Sequence, residues 1–312
     1  MIDLAHAGGS AARDGRVQAL VIINPISGRR RRGREIDADA ALAREVLGRH
    51  HIDADVRGTT QPGDAKRFAA EAVASGCGLV VAWGGDGTVN ETAAALARTG
   101  VPLAIVPAGS GNGLATDLRI PFDVRAALEL AATGRTLAID AGQVDDCLFF
   151  NIGGVGVDAV IAARFADRAP SRRGFAGYLQ LSTAELLRYQ CQTYEITIDG
   201  RVSTHRALLV AFANGRQYGN RMLIAPGARL DDGLLEVVIV EELSLLNIAW
   251  RLPSLFRGTL KSGGGVTMSA AQTLRVSSSG PIPYHVDGEP RLGGRELRVH
   301  THRGVLLVRA PG

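Results

Sequence analysis

The sequence lacks any apolar run close to the roughly 20 residues that a membrane-spanning helix needs, so a chain of this kind can meet a membrane only from its side. Cysteine is scarce as well. Cys77, Cys147 and Cys191 are an odd number at unrelated spacings, which indicates neither a disulfide framework nor a zinc site and favours a reduced cytoplasm. Residues 1–15 have no basic start followed by an apolar core, so we expect a disordered tail there and not a signal peptide.

Apolar residues make up 46% of the 312 residues and charged residues 21%, the balance of a folded chain long enough for two domains. The net charge of +4 is mild, and we expect no nucleic-acid partner. The basic residues do cluster, at positions 29–32 and 34. A solvated loop and an anion- or membrane-binding loop explain this arginine cluster equally well.

Short β-type runs alternate with helical segments over residues 16–137. This alternation predicts an α/β domain with a parallel sheet wrapped by helices. Ligands of such sheets bind at the carboxyl ends of the strands, where the loops at 24–28, 84–88 and 107–113 should converge. A last short strand at 306–308 could belong to either domain, so residues 301–312 are candidates to complete this one.

From about residue 138 the β-type runs come closer together, with few helices between them. Turn residues separate these runs, which is typical of antiparallel sheets. Residues 138–300 are therefore predicted to form a second, mainly antiparallel β-sandwich or barrel domain.

The most informative stretch is residues 78–91, an apolar run that stops at a glycine-rich turn and continues as an alanine-rich helical segment. Gly84, Gly85 and Gly87 are expected to turn the backbone with positive φ and to let a ligand approach closely. The helix that follows aims its free N–H groups at the turn, which suits phosphate. Asp86 does not fit a purely anion-binding loop, so it indicates a metal ion or a proton-transfer role.

No GxxxxGK[ST] loop and no properly placed GxGxxG loop is present, so the common nucleotide loops are absent. The run Gly-Gly-Asp-Gly-Thr-Val-Asn-Glu at 84–91 instead resembles the signature of the diacylglycerol kinase catalytic domain, shared with sphingosine, ceramide and bacterial lipid kinases. Further elements similar to that family follow in the right order, at 24–28, 59–65, 110–112, 154–159, 225–226, 231–234 and 286–290. The resemblance covers nearly the whole chain after the tail.

The resemblance implies transfer of the γ-phosphoryl group of ATP to a lipid hydroxyl, with Mg²⁺ offsetting the phosphate charge through Asp86 and water. It implies these ATP-binding residues: Asn24, Pro25, Ile26, Ser27, Gly28, Thr59, Gly84, Gly85, Asp86, Gly87, Thr88, Val89, Asn90 and Ser110.

By the same resemblance, Glu289 is the first choice for the proton acceptor, Asp287 supports it and Asp86 completes the catalytic set. If strand geometry holds at 287–289, the two acids point to the same side. A surface turn with solvated acids is the alternative. His285 is more readily explained as a structural residue than as a catalytic one.

Asp232, with the carbonyl oxygens of Arg229 and Leu234, resembles a second cation site found in some bacterial members. An ordinary Asp-Asp-Gly hairpin turn explains these residues about equally well.

One departure from the family pattern lies at Gly113, where bacterial diacylglycerol kinases commonly carry an aspartate. The loop is closer to that of sphingosine-kinase-like members, which weakens diacylglycerol as the assumed substrate. Two other functions stay open: a small-molecule kinase of the NAD-kinase or phosphofructokinase type, and a non-catalytic lipid- or nucleotide-binding module.

Residues 245–260 are strongly apolar with interspersed basic residues, and could meet a lipid tail or a bilayer surface. A buried helix kinked at Pro253 is the commoner explanation. Together these features predict a cytoplasmic enzyme of phospholipid metabolism, peripheral to the inner face of the membrane, that meets its lipid substrate there and is a candidate homodimer.

Overall fold

The computed structural model describes residues 17–27, 36–166, 175–219 and 222–312. The predicted tail, Gly28 and the arginine cluster lie outside the described residues. The chain divides into two compact units: unit 1 runs to Ile139 and includes Val305–Gly312, and unit 2 is Asp140–Gly304. These boundaries lie two and four residues from those expected from the sequence.

Unit 1 is an α/β unit built on parallel strands. Its strands are β1 (Val17–Ile23), β2 (Ile52–Gly58), β3 (Leu79–Gly84) and β4 (Leu103–Pro107). Its helices are α1 (Ile36–Gly48), α2 (Asp64–Ala74), α3 (Asp86–Leu96), α4 (Gly113–Asp117) and α5 (Val124–Thr133).

The parallel sheet has the strand order β4-β3-β1-β2. Every residue of β3 and β4 is buried, as expected for central parallel strands covered on both faces, whereas β2 alternates buried and exposed residues at its start. The register pairs Ile23 with both Gly58 and Trp83, and Gly84 with Pro107. The four strands therefore end at one level, and the loops that follow them leave from the same edge of the sheet.

Unit 2 is mainly antiparallel. Its strands, two of which begin or end in unit 1, are β5 (Arg135–Val144), β6 (Cys147–Phe149), β7 (Ile152–Gly156), β8 (Gln192–Ile198), β9 (Arg201–Ala213), β10 (Gln217–Gly219), β11 (Met222–Leu223), β12 (Leu235–Glu241), β13 (Val266–Ala271), β14 (Thr273–Ser277), β15 (Pro283–Val286), β16 (Glu289–Leu292) and β17 (Glu296–Ala310). Its helices are α6 (Val157–Ala166), α7 (Phe175–Arg188) and α8 (Leu245–Arg257).

The centre of unit 2 is β9, which pairs antiparallel with β7, β8 and β12. Its successive residues enter different cores: Phe212 packs in a large cluster with Phe149, and Ala211 and Ala213 pack in a second cluster with Ile224 and Val238. Alternation along β9 thus buries both faces of the strand. The predicted fold class, a parallel α/β part followed by an antiparallel β part, is confirmed.

Strand β6 ends at Phe149 and β7 begins at Ile152, because the backbone N–H groups of residues 150–152 donate to the side chain of Asp287. One expectation about a segment of unit 2 is wrong. Residues 245–260 do not form a buried helix. In α8 the side chains of Leu246 and Trp250 are 82% and 86% exposed.

Among the described residues, no helix has both the length and the apolar character required to cross a membrane.

Candidate active site

The β3–α3 loop is held by close packing and not by unusual backbone angles, so the expectation of positive φ at its glycines is wrong. Gly84 ends β3, Gly85 is extended at φ −92°, ψ −172°, and Gly87 is already helical. A Cβ on Gly84 would lie 2.5 Å from Oγ1 of Thr88, and one on Gly109 would lie 2.6 Å from Cα of Gly85. Glycine is needed here because two loops touch backbone to backbone.

The first turn of α3 leaves donors available for an anion. Gly85 is the N-cap and provides no side-chain cap, and the first intrahelical bond runs from the N–H of Val89 to the carbonyl of Gly85. The N–H groups of residues 86–88 therefore lack the i−4 partners that later turns have, and the helix dipole favours negative charge at the same end. This is the arrangement that binds phosphate in many α/β proteins.

Asp86 joins the β3–α3 loop to the β4–α4 loop. Its two carboxylate oxygens each accept one backbone N–H, from Asn112 and from Gly113, both at 2.8 Å. The feature of Gly113 that the loop uses is its N–H group, which any residue except proline would supply. Each oxygen of Asp86 keeps acceptor capacity, so the group can still hold Mg²⁺ through water, as its chemistry suits.

Asn112 fixes the β4–α4 loop from within. It has a left-handed backbone, φ 53°, and its side chain accepts the N–H of Gly109 at 2.9 Å and donates to the carbonyl of Gly109 at 2.7 Å. Gly111 has no room for a Cβ, which would lie 2.6 Å from Oδ2 of Asp86. Ser110, which lies between Gly109 and Gly111, is exposed.

The β1–α1 loop reaches the same place through Asn24. Its Nδ2 donates to Oγ1 of Thr88 at 3.1 Å, and its Oδ1 accepts the N–H of Ile26 at 3.1 Å. Its backbone N–H donates to the carbonyl of Trp83, which extends the sheet by one bond. Pro25, Ile26 and Ser27 form the turn, and Gly28 lies beyond the described part.

The β2–α2 loop is the fourth at this edge. The N–H of Thr59 donates to the carbonyl of Ile23 at 2.8 Å, and the N–H of Gly63 donates to Oε1 of Glu91 at 2.9 Å. Buried Asp64 accepts bonds from Thr60 and from Arg67. The backbone N–H of Thr60 foremost, and then Arg67, hold the pKa of Asp64 well below its usual range.

Unit 1 thus brings the described members of the predicted ATP-binding set, which are all except Gly28, together at one edge of its sheet. Among them, Thr88 and Val89 have buried side chains, and that of Thr88 accepts the hydrogen bond from Asn24. The sequence reasoning missed that Glu91 and Asp64 hold the fourth loop. Asp64 stands at the start of α2, where the helix dipole favours an acid, but Glu91 lies in the middle of α3, where no local pattern marks it.

In unit 2 the predicted carboxylates lie on the hairpin between β15 and β16. Asp287 and Gly288 have φ of 48° and 85°, the left-handed pair of a two-residue turn. Strand alternation does not apply across such a turn, so the condition under which Asp287 and Glu289 were expected to point to the same side is not met.

Asp287 binds backbone. Its carboxylate accepts the N–H groups of Phe150, Asn151 and Ile152, each at 2.9 Å, and its own N–H donates to the carbonyl of Ile152 at 2.8 Å. These bonds explain why β6 and β7 are separate strands. Glu289, the first residue of β16, is exposed. Of the two acids, Glu289 is the more exposed to solvent.

A buried pair, His285 and Asp158, supports this turn. Nε2 of His285 lies 3.1 Å from Oδ2 of Asp158, and Nδ1 accepts the N–H of Gly288 at 3.4 Å, so the proton belongs on Nε2. Gly154 is a glycine because a Cβ there would lie 2.3 Å from Oδ2 of Asp158. The sequence analysis quoted residues 154–159 as a family element and did not see this pairing.

The residues of the second predicted cation site lie among the turns and bends that precede β12. Oδ1 of Asp232 accepts the N–H of Leu234 at 3.0 Å, and Arg229 pairs with Asp231 at 3.4 Å. Fully buried Asp140, which sequence reasoning missed, accepts the N–H groups of Gly233 and Gly304 at 2.6 and 2.7 Å. The described residues contain no group of three or more His, Cys, Asp or Glu placed to hold a metal. A cation here would therefore need carbonyl oxygens and water beside Asp232.

Models of known protein families match the two parts of the chain separately. Residues 18–144 match the diacylglycerol kinase catalytic domain, and residues 152–308 match the YegS C-terminal NAD kinase beta sandwich-like domain. A probable lipid kinase YegS-like of Yersinia enterocolitica is 33% identical over 263 residues, covering 82% of this chain and 86% of the relative. The protein of the same description from Pectobacterium atrosepticum is 33% identical over 278 residues, covering 86% and 91%.

The fold is likewise similar to solved structures. A diacylglycerol kinase from Bacillus anthracis str. Sterne superposes with a TM-score of 0.72 at 19% identity, and another structure from that strain with 0.78 at 20%; each comparison covers 94% of this chain and 96% of the other. The family models thus divide the chain into a diacylglycerol kinase catalytic domain and a β-sandwich-like domain. The chain belongs to the diacylglycerol kinase catalytic-domain family, with the YegS-like lipid kinases as its relatives.

Proposed function

We propose that this protein is an ATP-dependent lipid kinase that transfers the γ-phosphoryl group to the hydroxyl of a diacylglycerol, a sphingoid base or a related lipid. One observation carries the proposal furthest. The uncapped first turn of α3 is surrounded by loops that bind one another through Asn24, Thr88, Asp86 and Asn112. A phosphate chain needs such fixed donors, because its transfer depends on positioning and charge stabilisation.

In the proposed reaction the lipid hydroxyl oxygen forms a bond to the γ-phosphorus, and the bond from that phosphorus to the β–γ bridging oxygen breaks. ADP leaves with the bond's electron pair, and Glu289 takes the hydroxyl proton. Mg²⁺, when bound, offsets phosphate charge. Asp86 fixes the two phosphate loops and can reach the ion through water, and Asp287 holds the turn that carries Glu289.

The test offers labelled ATP and Mg²⁺ to the purified chain with diacylglycerol, sphingosine, ceramide and phosphatidylglycerol, each dispersed in detergent. We expect label in one lipid product and none with NAD or fructose 6-phosphate. Transfer to either soluble acceptor would favour a small-molecule kinase. ATP binding without transfer to any acceptor would favour a non-catalytic binding module.

The membrane position expected from the sequence follows the same proposal. The enzyme would act at the inner face of the membrane, where the long-chain acceptors reside, as a step of phospholipid metabolism. A homodimer and the second cation site at Asp232 stay predictions, to be checked by sedimentation velocity and by the Mg²⁺ dependence of an Asp232→Asn variant.

A further inference from the structure

Helix α8 is apolar on two opposite faces. Its inner face packs on unit 2, where Leu255 contacts the cluster around Ile224 and Ile248 contacts the cluster around Val157 and Leu181. Positions 246, 250, 253 and 257 recur at spacings of four, three and four, so they form one line on the opposite side of the helix. That line carries Leu246, Trp250 and Pro253 and ends in Arg257.

The outer face is open. Leu246 and Trp250 are 82% and 86% exposed, and Leu252 and Phe256, on a flank of the helix, are 41% and 50% exposed. An apolar helix surface of this kind is typical of a site that another apolar phase covers. Ordinary surface helices place charged and polar side chains there.

The helix is held so that this face stays outward. Ser244 caps its start by accepting the N–H of Asn247, and Gly258, with φ 64°, ends it. On the inner side, Nη2 of Arg251 donates to the carbonyls of Gly263 and Gly264 at 2.8 and 2.9 Å. A Cβ on Gly264 would lie 2.3 Å from that guanidinium nitrogen, so the loop is built around the arginine.

The charge of residues 243–265 indicates what kind of surface the outer face of α8 binds. Residues 243–265 contain Arg251, Arg257 and Lys261 and no aspartate or glutamate. Arg257 and Lys261 are exposed at the carboxyl end of the helix. In a two-fold interface a patch faces its own copy, which would bring these cations together without a carboxylate to offset them. An anionic lipid surface offers apolar chains beneath negative headgroups, which matches both features.

We propose that the outer face of α8 is a membrane-docking surface: Leu246 and Trp250 enter the headgroup–acyl boundary of an anionic bilayer while Arg257 and Lys261 contact its phosphates. Tryptophan favours this depth because its ring is large and amphipathic. The inference concerns binding alone and does not rest on the proposed kinase reaction, although it would bring that reaction to its lipid.

The two tryptophans make a direct test possible, because Trp83 is 1% exposed and Trp250 is 86% exposed. Purified full-length chain is mixed with phosphatidylcholine vesicles containing about 30% phosphatidylglycerol, without ATP or Mg²⁺. We expect a blue shift of the tryptophan emission and co-sedimentation with these vesicles, and much weaker binding to pure phosphatidylcholine. Absence of binding to the anionic vesicles would overturn the proposal.

The variant Leu246→Ser/Trp250→Ser should bind anionic vesicles at least about tenfold more weakly, because two apolar anchors are lost. The matched control is Val202→Ser, at another exposed apolar position, 63% exposed on the β8–β9 hairpin, and should bind as wild type. Arg257→Gln should weaken binding to anionic vesicles about fivefold and leave binding to neutral ones unchanged.

Equal vesicle binding by the double variant and wild type would overturn the assignment to α8. A concentration-dependent dimer that the double variant abolishes would assign the face to a second copy and would also overturn it. Phosphoryl transfer to detergent-dispersed lipid should persist in the double variant. If no lipid is phosphorylated by either protein but vesicle binding is lost in the variant, the proposed kinase function fails and the docking surface stands.

Discussion

Unit 2 contains two Asp-Gly hairpins with nearly the same backbone. Asp199 and Gly200 join β8 to β9 with φ of 45° and 85°, and Asp287 and Gly288 join β15 to β16 with 48° and 85°. Both aspartates accept backbone N–H groups from a neighbouring segment: Asp199 from Gln272 and Thr273, and Asp287 from residues 150–152. Turn geometry and carboxylate bonding are therefore shared and cannot by themselves mark a functional site.

The two hairpins differ in what surrounds them. Arg201 follows the first turn, whereas the exposed carboxylate of Glu289 follows the second. Buried His285 lies beneath the second turn, where its Nδ1 accepts the N–H of Gly288. The Asp-Gly pair therefore builds the turn, and function is to be sought in the residue that follows it.

The largest effect is expected from Glu289→Gln. If this carboxylate accepts the hydroxyl proton, the amide should lower the rate of phosphoryl transfer about 10²- to 10⁴-fold. The thermal unfolding midpoint should stay at the wild-type value, since the side chain is exposed. Arg201→Gln changes the equivalent residue of the other hairpin and should transfer phosphate as wild type does. A fully active Glu289→Gln enzyme would remove this residue as the base.

Asp287→Ala and Asp199→Ala test whether the two hairpins, which should contribute similarly to stability, differ in their effect on activity. Each removes a charged acceptor of two or more N–H groups, so each should lower the free energy of unfolding by about 2–4 kcal/mol, measured by urea titration. Only Asp287→Ala should also lower kcat, because it releases the turn that carries Glu289. Equal kcat values for the two variants would show that the second turn has no special role.

Asp86→Asn extends the comparison to unit 1, where another carboxylate accepts two N–H groups. The amide keeps one acceptor and points donors at the other N–H, so we expect a loss of about 1–3 kcal/mol in unfolding free energy and a higher KM for ATP. A change in the Mg²⁺ concentration needed for half-maximal rate would assign Asp86 a role toward the ion. An unchanged Mg²⁺ requirement with a raised KM would make it a positioning residue of the phosphate loops.

The smallest effect concerns Asp64. In the folded chain, the backbone N–H of Thr60 and the side chain of Arg67 lower the pKa of this carboxyl group. A carboxyl with a depressed folded pKa binds its proton more readily when unfolded. Its contribution is therefore present above the unfolded value of about 3.9 and is lost as the pH falls below it. Urea titrations between pH 6 and 3 should show a shallower loss of stability for Asp64→Asn than for wild type. Parallel curves would contradict this role.

The sequence allowed the parallel sheet and its loops to be predicted because these depend on local patterns: apolar runs ended by glycine-rich turns. The bonds that fix the loops could not be predicted, since Asp86 binds residues 26 and 27 positions away and Glu91 binds Gly63. In unit 2 the pairing of His285 with Asp158 spans 127 positions. The glycines of the β3–α3 loop were expected to provide backbone conformations with positive φ. In the structure, glycine is needed because a side chain would clash, and the clash between loops cannot be seen before the β4–α4 loop is packed against the β3–α3 loop.

The last strand has a consequence for the order of folding. β17 pairs with β14 at residues 296–300 in unit 2, and near its end Val308 pairs with Leu103 of β4 in unit 1, where Leu306 and Val308 are fully buried. A ribosome makes residues 17–139 before unit 2, but the edge of β4 stays uncovered until residues 305–310 have been made. We therefore expect unit 1 to reach its native state only after unit 2 has been synthesised, so that the loops at the edge of its sheet become fixed last.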